Sequence, residues 1–422
     1  MNNITIIDAI MGAGKSTYLI DMINRHPDKK YLVVVPLLSE IARFQKNIHG
    51  IHFIEPKAWE KSKSENLLEL LRNGKNVITT HQLILRTNSE VRKILKEKDY
   101  TLIMDESLQV FQQFTVYTDD LALLVDNNII CFDEGEKVIW NANTITAEQY
   151  KNGAFSGLKE ATTLGELYYP FGNNIRPSAF TTFILTFSPD FFKSFNKIYI
   201  ATYLWNSNFQ KHYFDFYDIR YDHKSLVNGS LLPYSPTYEE PIKEEIRELL
   251  HICKDEKLNE IGVKTSRSCP LSKGWFNNQS NEEDVDQLQH NIYNFFRHKI
   301  NSKANRNMWV TYKDFRNKLK GKGYSGSKQN PCFVSLGTKC TNDFIHKNVL
   351  VFAANLYMEP HLKHFFIQNK LPIPEDEYAL SEMIQWIWRS AIRERKPIDL
   401  YVPSERMRNL LEDWLAGTFE KK

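Results

Sequence analysis

Cysteine is scarce in this chain and scattered. The five present, Cys131, Cys253, Cys269, Cys332 and Cys340, form no C-x-x-C pair. That argues against a zinc ribbon and a disulfide framework and makes a reducing cytosol the expected compartment. No apolar run reaches the roughly 18 residues that a membrane span needs, so no membrane partner is expected. A strong net charge is also missing: 54 Lys and Arg stand against 51 Asp and Glu, for +3. Global charge therefore selects no partner, and local clusters must do so. The first residues run straight into a strand, without the charged and apolar pattern of a cleavable leader.

What is present is a long chain of ordinary globular composition, 422 residues with 42% hydrophobic and 25% charged. Two or three domains are expected at that length. In the first hundred residues β-branched runs alternate with helical patterns. Ile4–Ile7, Tyr31–Val35, Ile51–Ile54, Asn76–Thr80 and Thr101–Met104 read as strands. Near-continuous apolar strands separated by helices imply a parallel sheet covered on both faces. Ligands of such sheets sit at the carboxyl ends of the strands, so the polar residues there are the candidates for chemistry.

Two such places stand out. After Ile4–Ile7 comes Ala9-Ile10-Met11-Gly12-Ala13-Gly14-Lys15-Ser16-Thr17, then a helical stretch. Gly12 and Gly14 let the backbone curl so that successive N–H groups, Ala13 among them, face one anion. The following helix adds the positive end of its dipole. Lys15 can reach the outer phosphates of a nucleotide, and Ser16 can ligate Mg²⁺ with Thr17 behind it. The second place is Asp105-Glu106-Ser107, directly after Thr101–Met104. Asp105 can hold Mg²⁺, because a small hard cation takes oxygen ligands. Glu106 can orient or deprotonate an attacking water. The competing structural role for Asp105 is to cap a helix beginning at Leu108.

These motifs resemble those of a superfamily 2 helicase, of the DEAD/DEAH-like type carried by phages and mobile elements. Ala9–Thr17 resembles motif I, with alanine in place of the usual first glycine. Asp105-Glu106-Ser107 resembles motif II, with Ser107 and Leu108 in place of its usual last two letters. Val35-Pro36-Leu37-Leu38 resembles motif Ia and Thr79-Thr80-His81 motif Ib, which implies nucleic-acid backbone contacts at Pro36, Thr79 and Thr80. Ala201-Thr202, after the strand Ile198–Ile200, resembles motif III. No glutamine that would read adenine precedes Ile4, so the residues do not choose between ATP and GTP; the resemblance implies ATP with Mg²⁺.

The later half carries a basic stretch. Arg297–Lys328 holds ten Lys or Arg, among them Lys313, Lys318, Lys320 and Lys322, against one acid, Asp314. Such groups neutralise phosphates, and the interleaved Trp309, Tyr312, Phe315 and Tyr324 could stack on unpaired bases. The alternative is a solvated charged face with Trp309 and Phe315 in the core, since Trp309–Tyr312 also reads as a buried strand. Tyr213–Tyr217 reads as another strand. Phe333–Leu336 with Thr338–Asn342 resembles motif V, and Ala379–Arg393 resembles motif VI. Helical spacing would place Gln385, Arg389 and Arg393 on one face. The resemblance implies that an arginine here touches the γ-phosphate. The two family arginines are spaced three apart with glycines between, whereas these are four apart without glycine. The choice among Arg389, Arg393 and Arg395 therefore stays open. Ser404 is expected to cap a final amphipathic helix.

The expected architecture is α/β: two RecA-like lobes, each a mainly parallel sheet flanked by helices, with an insertion in the first. The lobes are assigned to residues 1–205 and 206–422, and the insertion to about 111–195. The expected function is an ATP-dependent translocase or helicase on single-stranded or forked DNA. It would serve phage replication or recombination beside other proteins of those processes, in a bacterial cytoplasm. The alternative is an ATP-gated protein that clamps or remodels nucleic acid without separating strands. A small-molecule kinase fits poorly, because the second lobe would have no use.

Overall fold

In the computed structural model, the residues described are 3–58, 62–141, 153–170, 179–265, 268–337, 343–371 and 375–419. The chain divides into two compact units. The first comprises Met1–Asp8, Gly14–Leu232 and Glu359–Ile373; the second comprises Ala9–Ala13, Pro233–Met358 and Pro374–Lys422.

The first unit is built on the apolar runs. In chain order they form β1 (Ile4–Asp8), β2 (Lys30–Val35), β3 (Phe53–Ile54), β4 (Asn76–Thr80) and β5 (Tyr100–Asp105). An antiparallel interruption follows: β6 (Phe111–Tyr117), β7 (Ile130–Phe132), β8 (Val138–Trp140), β9 (Gly165–Tyr168) and β10 (Phe180–Phe187). The chain then returns with β11 (Lys197–Thr202), β12 (Asp222–Val227) and β13 (Ser230–Pro233). The main sheet has eight strands in the order β13-β12-β1-β11-β5-β2-β4-β3. β1 lies parallel between β11 and β12, and β5 parallel between β11 and β2. Every residue of β1 is buried, as is every residue of β2 after Lys30. Burial on both faces is why these strands carry runs of Ile and Val rather than an alternation.

The interruption is a small domain in its own right. β6, β10 and β9 form an antiparallel sheet, and β7 pairs with β8. Leu121, Leu124, Ile130, Leu158, Leu167 and Phe183 make its core. The helix Pro360–Gln368, distant in sequence, belongs to the first unit and sets Phe365 and Phe366 against Phe111, with centroids 5.9 and 4.9 Å away.

Two local expectations fail here. Tyr213–Tyr217 is not a strand but part of the helix Phe209–Phe216. Asn208 caps it by accepting from the Gln210 N–H at 2.9 Å, and the helix turns Gln210, Tyr213 and Phe214 inward. Aromatic residues favour strands by propensity, but the cap and this one-sided burial decide for helix. No helix begins at Leu108 either, so the capping role considered for Asp105 falls away. The chain runs from β5 through a short turn into β6.

The second unit has a four-stranded parallel sheet, β14 (Leu250–Ile252), β15 (Asn307–Val310), β16 (Val349–Phe352) and β17 (Ile398–Tyr401), in the order β14-β17-β16-β15. The helix Glu282–Asn294 supplies Val285, Leu288 and Ile292 to its core. The final helix, Glu405–Leu415, is capped by Ser404 as expected. The aromatics of the basic stretch belong to this core. Trp309 donates its indole N–H to the Tyr324 carbonyl at 2.9 Å, and Tyr324 donates its hydroxyl to the Leu319 carbonyl at 2.6 Å. Trp309, Phe315 and Tyr324 are buried, so base stacking on those three rings is set aside. Burying a large ring against a sheet outweighs displaying it, provided its N–H or O–H finds a partner.

Residues 379–393 do not form one continuous helix. The helix Glu375–Ile387 ends before Arg389; Ser390 is extended, and Ala391–Glu394 is a separate 3-10 turn. Ser390 donates its hydroxyl to the Ile387 carbonyl at 2.7 Å, and the Ala391 N–H goes to the Lys347 carbonyl at 2.8 Å. A serine that bonds back to its own turn competes with helix propagation. Arg393 therefore does not share a helical face with Gln385 and Arg389.

Candidate nucleotide site

The site is assembled at the carboxyl ends of β1 and β5. After β1 the chain enters the glycine turn. Gly12 and Gly14 take φ of +83° and +86°, which a Cβ would oppose. Gly14 is the residue before the 11-residue helix Lys15–Arg25, so Lys15 and Ser16 open that helix. Ser16 Oγ donates to both carboxylate oxygens of Asp105, at 2.8 and 3.0 Å. Thus two motifs 89 residues apart in sequence meet through side-chain oxygens. Lys15 is half-buried and Thr17 exposed.

The acidic turn is strained and pinned. Glu106 has φ of +128°, a region that costs a non-glycine residue about 1–3 kcal/mol and persists only when its surroundings hold it. Those surroundings come from the segment after β11. Asn208 Nδ2 donates to Ser107 Oγ at 2.7 Å, and the Leu108 N–H donates to Gln210 Oε1 at 2.8 Å. Near the end of β11, Ala201 lies opposite Asp105, and both Ala201 and Thr202 are buried.

Asp8, the last residue of β1, is 1% exposed. Its Oδ2 accepts from the Trp205 N–H at 2.9 Å and is 3.0 Å from His223 Nε2. Asp8, Asn208, Gln210 and His223 thus surround or support the site, as does Arg43, which donates to Asp105 Oδ2 at 3.1 Å, and motif reading finds none of them. Asp8 alone left a trace, as an acid ending an otherwise apolar strand.

Among the described residues, no cluster of three or more His, Cys, Asp or Glu side chains could hold a metal. One hydroxyl and one carboxylate, Ser16 and Asp105, nonetheless suit Mg²⁺. That ion takes few protein oxygens and completes its shell with phosphate and water.

The other candidates are distributed as follows. Pro36 and Thr79 are buried, and Thr80 is half-buried at the start of the short helix His81–Ile84. In the second unit, Gln385 Nε2 donates to Ser381 Oγ at 3.2 Å. Arg389 is 6% exposed. Desolvation raises the Glu382 carboxyl above its ordinary range, and the Arg389 guanidinium opposes that rise. Arg393 is half-buried on its 3-10 turn. Arg395 lies over the Trp388 ring at 5.8 Å and pairs with Glu245 at 3.2 Å. Lys313, Lys318, Lys320 and Lys322 are all exposed. Thr338–Asn342 lies outside the described residues.

Comparison with known proteins places this arrangement. Residues 244–415 match the family described as the YonV C-terminal Rossmann-like domain, and residues 111–174 match the YonV middle domain. A Bacillus subtilis (strain 168) protein, described as the SPbeta prophage-derived uncharacterized protein YonV, is 34% identical over 427 residues. The alignment covers 99% of this chain and 100% of that one. The chain belongs to the YonV family.

The YonV middle domain begins at β6 and so coincides with the start of the antiparallel interruption. The YonV C-terminal domain takes in all of β14–β17. Among solved structures, Xpd4 of S. tokodaii superposes with a TM-score of 0.51 at 13% identity, covering 98% of this chain and 94% of that one. The DUF1998 helicase MrfA, bound to DNA and AMPPNP, gives 0.33 at 10% identity, over 100% of this chain and 48% of that one. The first likeness establishes the fold: two RecA-like lobes, each with a mainly parallel sheet, the first interrupted by an inserted domain. No helix among the described residues is long and apolar enough to cross a membrane.

Proposed function

We propose that this YonV-family protein is an ATP-driven motor on nucleic acid, a translocase or helicase acting on DNA. The observation that carries the reading is the bond from Ser16 to Asp105, made where a glycine turn opens a helix. Magnesium bound there would neutralise charge on the transferring phosphoryl group. The backbone of Gly12–Thr17 would cradle the phosphates, and Lys15 would hold the outer ones. Glu106, fixed by its pinned turn, would orient the attacking water. Gln385 and one of Arg389 or Arg393 are proposed to act on the same nucleotide.

Lys313, Lys318, Lys320 and Lys322 are proposed to contact the strand through its phosphates, joined by Pro36, Thr79 and Thr80 through the backbone around them. The prophage origin of the Bacillus subtilis relative supports a setting in phage replication or recombination. A second reading is favoured by the break at Ser390: an ATP-gated clamp or remodeller that does not separate strands. The break sets Arg393 on a different turn from Gln385 and Arg389, so the three do not form one helical face.

The test is the hydrolysis rate with no nucleic acid, with single-stranded DNA, with duplex DNA and with RNA, beside an unwinding assay on forked duplexes. Stimulation by DNA with unwinding supports the motor; stimulation without unwinding on any substrate supports the clamp. Lys15→Ala is expected to abolish turnover, and retained turnover in that variant removes both readings.

A further inference from the structure

The carboxylate of Asp105 is held by a second side chain as well. Arg43 Nη2 donates to Asp105 Oδ2 at 3.1 Å, and the same nitrogen forms an ion pair with Glu40 Oε2 at 2.7 Å. Arg43 and Glu40 sit one turn apart on the helix Leu38–Asn47, which begins two residues after Pro36. The two acids are well enclosed, with side chains 12% and 11% exposed, whereas the arginine is 38% exposed. Arg43 Nε has no hydrogen-bond partner among the described residues. The guanidinium thus bridges two carboxylates through one nitrogen, without the paired N–H contacts that make an arginine–carboxylate bridge strong and geometrically fixed. It is a contact suited to exchange.

We propose that Arg43 is a metal-sensitive latch: its guanidinium and Mg²⁺ compete for the carboxylate of Asp105. This rests on the nucleotide reading of the Gly12–Ser16 turn. A cation coordinated by Asp105 repels a guanidinium bonded to the same group. Arg43 then gives up Asp105 and keeps its ion pair with Glu40, whose carboxylate already lies 2.7 Å from the same nitrogen, so release costs it no counter-charge. Without metal, the helix that follows Pro36 is tied to the end of β5; with metal, that tie is gone. Arg43 is a positioning residue in this scheme, acting on the metal site through Asp105.

The experiment measures binding of a fluorescent non-hydrolysable ATP analogue to the full-length chain across a Mg²⁺ titration. In Arg43→Gln the half-saturating Mg²⁺ concentration is expected to fall about two- to fivefold, the range for a half-exposed ion pair. Arg43→Lys should lie between wild type and Arg43→Gln. Glu40→Gln should shift the midpoint the opposite way, because Arg43 then depends on Asp105 alone. A purely structural role for the helix would not produce opposite signs. An unchanged or raised midpoint in Arg43→Gln overturns the latch and leaves the nucleotide site standing. Failure of the wild-type chain to bind the analogue at any Mg²⁺ concentration overturns the nucleotide reading itself, and the latch with it.

Discussion

The turn after β5 and the segment from Gln385 to Arg395 both carry the polar residues of a motif, and they are built in opposite ways. In the first unit Asp105 stands at the end of a buried strand, and the helix that follows β1, two strands over in the same sheet, delivers the serine that meets it. Strand ends in a parallel sheet lie along one edge whatever happens in the loops between them. In the second unit the polar residues depend on a helix continuing. It stops at Ile387, Arg389 is buried, and Arg393 belongs to a different turn. A motif anchored on sheet topology survives local irregularity, whereas one anchored on helical periodicity does not survive a single break.

The sharpest way to challenge that contrast is to truncate each arginine. If one is the residue that stabilises transferring phosphoryl charge, its Ala variant should lose about 10³–10⁵ in hydrolysis rate. Arg393→Ala should leave thermal stability unchanged, since its side chain is half-buried on a short turn. Arg389→Ala should lower the melting temperature, because it removes the charge that opposes desolvation of Glu382. Full activity in both variants would remove Arg389 and Arg393 as the arginine that acts on the phosphoryl group.

A smaller effect concerns the helix that pins the acidic turn. Burial pushes His212 down from 6.5 to about 4. Neither ring nitrogen has a hydrogen-bond partner among the described residues, and the ring packs against Phe366 at 5.6 Å. Its pKa is depressed in the fold, so the unfolded chain binds the proton more readily. The stability tied to neutral His212 is complete above pH 6.5 and is lost as pH falls towards 4. At pH 5 the loss is at most about 2 kcal/mol by linkage. Denaturant melts of wild type and His212→Phe at pH 7 and pH 5 should show the wild type losing more on acidification. Equal losses would dissociate this helix from the acid response of the first unit.

The smallest test compares two helix caps. Ser404→Ala, which removes the acceptor for the Met407 N–H, and Asn208→Ala, which removes the acceptor for the Gln210 N–H, should each cost about 1 kcal/mol. Only Asn208 also donates to Ser107. Its loss should slow hydrolysis as well, whereas Ser404→Ala should cost stability alone. Equal effects on hydrolysis would mean that the pin on the acidic turn has no consequence.

The strands of the first sheet were largely legible, because β1, β2 and β5 are near-continuous apolar runs, as burial on both faces demands, and Trp309 and Val310 of β15 read the same way. Ser404 was legible as a cap for the same local reason. The break at Ser390 was not, because it depends on the Lys347 carbonyl taking the Ala391 N–H, a partner 44 residues away. Nor was the fate of the basic stretch, since the Trp309 indole and the Tyr324 hydroxyl find their acceptors, the Tyr324 and Leu319 carbonyls, only once folded.

The sequence by itself determined that a glycine turn follows one buried strand and an acidic pair another, because composition and spacing encode strand, turn and helix locally. Only the tertiary structure decided that Ser16 bonds to Asp105, that Arg43 shares that carboxylate, and that Asn208 and Gln210 hold the strained Glu106 turn. Those contacts join residues separated by dozens to a hundred positions. Which side chains reach one another across the edge of a sheet is set by strand order and register, which no local pattern records.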